Sequence, residues 1–251
     1  MMQATTKIAV AGATGRLGSH VVDVLRGAGH QVVAMSRSQG VDVATGDGLA
    51  EALAGVDMII DASSTPSPDQ QEATDFFEAS ARNLHEAGQN AGVKRLVAVS
   101  IIGIDRFSAG YQAAKLVHER ALGEGPLPVR ILRAAQFHEF VPVLLEWGRQ
   151  GEVAYVWPMR TQLVAARTVA EALVDLAFDP DPPAGGPLPE IAGPREERLV
   201  DAARLFAPEL RVEEAISADD PDAELYANGS LLPSPHAKLA GPTFAEWVES
   251  R

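Results

Sequence analysis

The chain has 251 residues, 46% of them hydrophobic, and a formal net charge of −13; that is enough apolar material for one large domain or a domain with an annex. The absence of cysteine excludes disulfides, thiolate metal sites and cysteine nucleophiles, and so acidic a chain lacks the basic face that nucleic acid requires. The longest apolar run, Leu96 to Ile104, is too short to span a membrane, and Met1 leads so directly into the first apolar stretch that no leader is expected, which points to a cytoplasmic protein.

Lys7 to Ala11 reads as a strand that enters the glycine triplet Gly12-Ala13-Thr14-Gly15-Arg16-Leu17-Gly18. Apolar residues then recur at Leu17, Val21, Val24, Leu25 and Ala28, the period of a helix with one buried face. Strand, glycine turn and helix in that order make a phosphate cradle. Small residues admit a pyrophosphate to the backbone, and free N–H groups with the helix dipole favour its charge. Gly12, Thr14, Gly15, Arg16, Leu17 and Gly18 are therefore candidate dinucleotide contacts. Gln31 to Ser36 reads as a second strand, followed by Arg37, 19 residues after Gly18. Sites selecting NAD place Asp or Glu here for the ribose 2′-hydroxyl. Ser36 and Arg37 instead offer a hydroxyl and a guanidinium fork, which suit a 2′-phosphate. NADP(H) is the expected cofactor, ahead of NAD(H).

Val41 to Thr45 reads as a third strand ending at Gly46-Asp47, Leu49 to Ala54 as a short helix, and Val56 to Asp61 as a fourth strand. A long helix follows over Gln70 to Ala91, closed by Gly92. Lys94 to Ser100 gives a fifth strand, Tyr111 to Leu122 a helix and Val129 to Arg133 a sixth strand. This alternation predicts an α/β fold, a doubly wound parallel sheet of Rossmann type that binds ligands at the carboxyl edge of its strands. Residues 179–251 hold 11 of the 17 prolines, so the C-terminal end is loop-rich. The expected division is a dinucleotide-binding domain over residues 1–150. Residues 151–251 then supply the remaining sheet elements and a small α+β substrate-binding annex, with Asp179 to Pro189 as an exposed connection.

Tyr111 and Lys115 lie four apart on one helix face. A nearby ammonium favours the phenolate, which would bring the phenol towards the working pH as a general acid/base, and the lysine can also hydrogen-bond a nicotinamide ribose. The pair follows a fifth strand that ends in Ser100. His138, after the sixth strand, reads either as a nicotinamide-pocket residue or as a surface or capping residue. Trp157 reads as a packing residue that could also line an apolar substrate pocket. Glu119, one turn after Lys115, reads as half of a helix-surface ion pair. The six histidines form no close pair, so no metal site is expected. No G-x-S-x-G elbow marks a serine hydrolase.

Over nearly its whole length the chain resembles a short-chain dehydrogenase/reductase of the atypical, NmrA-like branch. The likeness rests on Gly12 to Gly18, Ser36-Arg37, Gly46-Asp47, Val99-Ser100-Ile101-Ile102-Gly103 and Tyr111 with Lys115. The stretches Leu132 to Phe140 and Val164 to Ala172 are also similar to that branch. The resemblance implies that Ala62, Ser63 and Ser64 lie along the cofactor and Asp47 beside the adenine, with Ala135 and Gln136 bordering nicotinamide and substrate. One departure is visible: the wider family has a Ser or Thr a residue or two beyond the fifth strand to hold the substrate carbonyl, whereas Ile101-Ile102 follow Ser100 here, so that either Ser100 serves or the carbonyl-binding position falls on Ile102. Three functions are compatible with these residues. The first is NADPH-dependent reduction of a small carbonyl-like substrate with Tyr111 as proton donor. The second is a non-catalytic NADP(H)-sensing regulator, which Ile102 favours. The third is a nucleotide-sugar epimerase, against which Arg37 and the short C-terminal region count. A homodimer is compatible with each.

Overall fold

The computed structural model describes residues 5–67, 69–180, 186–217 and 219–251; residues 181–185 of the expected connection lie outside them. The first half of the chain runs β1 (Lys7–Ala11), α1 (Arg16–Gly27), β2 (Gln31–Met35), α2 (Leu49–Ala52), β3 (Met58–Asp61), α3 (Gln70–Ala91), β4 (Arg95–Ile101), α4 (Gly110–Glu124), β5 (Val129–Ala134) and α5 (Val141–Trp147). The second half runs β6 (Arg149–Gln150), β7 (Val153–Val156), β8 (Arg160–Thr161), α6 (Ala166–Phe178), β9 (Glu190–Ala192), β10 (Glu197–Arg198), α7 (Leu199–Phe206), β11 (Arg211–Glu214), α8 (Ala223–Ala227), β12 (Lys238–Leu239) and α9 (Phe244–Glu249).

Seven strands form one parallel sheet in the order β2-β1-β3-β4-β5-β9-β12. Its central strands are apolar on both sides, as in Ile8-Ala9-Val10-Ala11 and Met58-Ile59-Ile60, because helices cover both faces. Leu17, Val21 and Leu25 of α1 join Val169, Leu173 and Ala177 of α6 in the core on one face. Ala81 and Leu84 of α3 and Leu122 of α4 build the core on the other. Helix α3 starts where the Asp69 carboxylate accepts the Glu72 N–H at 2.9 Å, satisfying one of the free donors of the first turn. The chain leaves β1 towards β2 on one side and resumes with β3 on the other. The crevice outside the carboxyl ends of β1 and β3 is therefore the topological switch point, where open sheets of this kind bind ligands.

The strand expected over Val41 to Thr45 is absent. The Asp42 carboxylate accepts the Ala44 N–H at 2.8 Å, while its carbonyl accepts the Gly46 N–H at 2.8 Å and its own N–H reaches Asp47 O. This turn consumes the groups that a ladder would need. Val41 and Val43 still bury their side chains, and Asn83 of α3 donates to the carbonyls of Val43 and Ala44 at 3.0 and 2.8 Å.

The annex packs a three-stranded sheet, β11-β7-β6, and the β8–β10 pair against α5, α7, α8 and α9. Its separate core includes Leu144, Ala154, Met159, Leu199, Val212 and Phe244. The chain threads between the two units: α5 enters the annex before residue 150, and α6, β9 and β12 return to the main sheet after it.

Candidate active site

The glycine turn lies at the switch point. Gly12 has φ +71°, and a Cβ there would come within 2.6 Å of the Ala62 carbonyl oxygen on the loop after β3. A Cβ on Gly18 would sit 2.0 Å from the Gly12 carbonyl oxygen, so only glycine lets α1 rise this close to the turn. Thr14, Gly15 and Arg16 are exposed at the mouth, whereas Leu17 turns its side chain into the core and faces the mouth only through backbone. No side chain caps the start of α1 and no acidic residue lies in its first turn, which leaves its N–H groups and dipole for an anion. Arg37 is exposed beyond β2 beside half-buried Ser36, whose hydroxyl is 2.9 Å from that of Ser38. Asp47 is exposed and accepts the Thr45 hydroxyl at 2.8 Å. A close-approach cradle, an uncapped helix start and a cation at the end of β2 fit a dinucleotide phosphate.

Across the crevice, α4 presents Tyr111 and Lys115 to Phe77 of α3. The Tyr111 hydroxyl lies 2.8 Å from the Ser64 hydroxyl, and its ring meets Phe77 edge-on at 5.7 Å. Burial raises the Tyr111 phenol above its ordinary pKa, and the Asp61 charge adds to the rise against the Ser64 hydrogen bond. This reverses the expected lowering by Lys115, because the lysine ammonium is engaged elsewhere. Lys115 Nζ is buried 4.5 Å above the Phe77 ring and donates to His118 Nδ1 at 2.9 Å. His118 Nε2 faces Asp61 Oδ2 at 3.3 Å. Burial, opposed by the charges of Asp61 and Glu119, brings the Lys115 pKa down to about 8. Burial and the Lys115 charge depress that of His118, leaving a neutral imidazole. Burial works against the Asp61 carboxylate, yet His118, the Lys115 charge and the Ser63 N–H hold it below the ordinary range.

Sequence reasoning missed Asp61 and His118. The available signals were an acid closing the apolar strand Met58-Ile59-Ile60-Asp61 and a histidine one helix turn beyond Lys115. Glu119 is likewise not the surface residue expected: it is buried and holds Arg133 of β5 through two bonds, at 2.9 and 2.6 Å. Arg133 also donates to Asp105, so β5, α4 and the turn after β4 are fixed together.

The candidates around the substrate side separate. Strand β4 runs on to Ile101, and Ser100 is buried with its hydroxyl unpartnered among the described residues. Ser63 is buried in the same way one strand over. Ile102, expected at the substrate, is 1% exposed in the main core, with its N–H on Ala134 O. Ala135 is buried in that core too and gives its N–H to Ile191 O, so it contributes a wall rather than an open contact. His138 is 0% exposed, packed 5.3 Å from Phe244 and 5.4 Å from Trp247 in the annex core. It is neither a pocket nor a surface residue. Gln136 stays half-buried and accepts the Thr161 hydroxyl. Trp157 stacks on Tyr226 at 5.5 Å, a packing role. The annex reaches the site through Asp222, whose carboxylate accepts the N–H groups of Ser108 and Ala109 at 2.7 and 2.8 Å and the Ser108 hydroxyl at 2.9 Å. These residues lead directly into α4.

A parallel sheet with a glycine cradle at its switch point defines a Rossmann-type dinucleotide-binding protein. The model of the NAD(P)H-binding family matches residues 12–180, and the chain belongs to that family. No curated protein matches it in sequence. Among solved structures, UDP-N-acetylglucosamine 4-epimerase from Bacillus cereus is similar at 19% identity over 98% of this chain and 95% of its own, with a TM-score of 0.68. A short-chain dehydrogenase/reductase superfamily protein from Agrobacterium tumefaciens with bound NAD gives 18% identity, 97% and 95% coverage and a TM-score of 0.66. An NADPH-dependent quinone oxidoreductase from Escherichia coli gives 20%, 97% and 98%, and 0.62. The fold is thus that of the atypical short-chain dehydrogenase/reductases. Because the epimerase is matched over 95% of its length, a short C-terminal region does not distinguish this chain from epimerases. Among the described residues no helix is long and apolar enough to cross a membrane, and no cluster of His, Asp or Glu side chains is placed to hold a metal ion.

Proposed function

We propose that this protein is an NADPH-dependent reductase of a small carbonyl-like substrate, with Tyr111 as the proton donor. The observation that carries the reading is the state of Tyr111: its hydroxyl is held 2.8 Å from Ser64, on the loop that closes over the glycine cradle. Burial raises its pKa, so the phenol keeps its proton at neutral pH, as a donor in the reducing direction must. The reduced nicotinamide, when bound, supplies hydride to the carbonyl carbon. Tyr111 gives its O–H proton to the carbonyl oxygen, yielding the alcohol and a phenolate. Ser64, already 2.8 Å from the Tyr111 hydroxyl, donates a hydrogen bond to that phenolate. Arg37 takes the 2′-phosphate and selects NADPH over NADH.

The test is Tyr111→Phe, assayed with a panel of aldehydes, ketones and quinones. The substitution keeps the ring on Phe77 and removes only the hydroxyl. Turnover is expected to fall about 10²- to 10⁴-fold, with NADPH affinity unchanged. A second reading, NADP(H) sensing, is favoured by Ile102, which buries an apolar side chain where the wider family carries a hydroxyl. Tight NADPH binding by the wild type with no reduction of any acceptor in the panel decides for sensing.

A further inference from the structure

Asp61, His118 and Lys115 are all buried and stand in line, 3.3 Å between the first two and 2.9 Å between the last two. They occupy an otherwise apolar wall: Phe77 stacks on His118 at 4.7 Å and lies beneath Lys115, beside Ala73 and Ala114. Apolar side chains of similar volume would fill this space at no electrostatic cost, since buried ionic groups bring desolvation penalties that their pairing often only offsets.

We propose that Asp61 and His118 are positioning residues, which fix the Lys115 side chain one turn from Tyr111 and keep it an ammonium inside the protein. The hydrogen-bond polarity supports a single arrangement. Lys115 donates to Nδ1, so a neutral His118 carries its proton on Nε2, the nitrogen 3.3 Å from Asp61 Oδ2. Asp61 is fixed in turn by the Ser63 N–H at 2.9 Å. The groups facing Lys115 are Asp61 from β3, Tyr111, His118 and Glu119 from α4, and the uncharged Phe77 from α3. Glu119 is already engaged by Arg133 of β5. Asp61 is thus the negative charge left to balance Lys115, acting through His118. The remaining ammonium N–H groups stay available to a nicotinamide ribose, a role that rests on the functional reading above.

The chain has only four lysines, Lys7, Lys94, Lys115 and Lys238, so 13Cε-lysine NMR on the whole protein, with Lys115→Arg for assignment, follows the ammonium without any cofactor. The Lys115 resonance is expected to titrate near 8, and Asp61→Asn to lower that midpoint by about one pH unit or more. An unchanged midpoint in folded Asp61→Asn overturns the proposal. Should that variant not fold, 15N-histidine spectra of the wild type decide: His118 must be neutral with Nδ1 unprotonated, and a protonated Nδ1 overturns the arrangement. NADPH titrations from about pH 6.5 to 9 then read the cofactor role. Affinity should decline through the Lys115 midpoint in the wild type and lose that decline in Lys115→Arg. NADPH failing to bind at any pH would refute the functional reading and leave the lysine and histidine spectra to judge this one.

Discussion

Arg37 projects from the end of β2 with no side-chain partner among the described residues, so removing it disturbs nothing in the fold. If it meets a 2′-phosphate, Arg37→Ala forfeits one charge-assisted contact worth about 1.5–3 kcal/mol. That corresponds to roughly 10- to 150-fold weaker NADPH binding, with NADH affinity nearly constant. Fluorescence titration with both nucleotides checks this, and an equal loss for the two would place the arginine outside the phosphate site. At this scale the sequence was a guide to placement where one local element carried the signal: the glycine triplet before α1, Arg37 after β2, Tyr111 and Lys115 on α4. It was uninformative where partners come from different elements. Nothing near Lys115 in sequence announces Asp61, because sheet order alone brings the end of β3 beneath α4. Ile102 and Ala135, expected as ligand contacts, both follow strand ends and both bury their side chains in the main core.

At the scale of elements, the turn between β1 and α1 depends on one missing methyl group. Gly18→Ala would place a carbon 2.0 Å from the Gly12 carbonyl oxygen, so α1 must move off the turn. The expected result is a loss of about 1–3 kcal/mol of stability from overpacking, together with NADPH binding, read by thermal melts and titration. Gly27→Ala at the other end of α1 is the matched control. A Cβ there meets nothing within 4 Å, and exchanging a helical glycine for alanine should gain about 0.5–1 kcal/mol. The bounds of helix α3 were legible to the residue, with Gly92, at φ +77°, closing it; the Asp69 cap that opens it came from the structure. The Val41 to Thr45 segment misled because its alternating valines bury as a strand's would, while Asp42 bends the backbone into a turn that their spacing does not reveal.

For the molecule as a whole, the annex core carries an acid-sensitive component. Burial brings the His138 pKa from 6.5 to about 4, so the unfolded chain binds a proton between those values that the folded chain refuses. Stability from this group is complete above about pH 6.5 and declines as pH falls towards 4, by up to roughly 3 kcal/mol at 1.36 kcal/mol per unit. Urea unfolding of the wild type and His138→Leu across that range tests it: the variant should show a flatter acid limb, and parallel curves would refute the assignment. The annex itself was visible in the sequence only as a proline-rich tail, and its grip on the site was not visible at all. That grip has a consequence for descent and design. Because Asp222 supplies the acceptor for the backbone leading into α4, the annex also sets where the helix that carries Tyr111 begins. A chimera carrying a foreign annex on this sheet would inherit the cofactor cradle intact but a loosened Tyr111, and would bind its nucleotide better than it turns it over until an equivalent of Asp222 were restored.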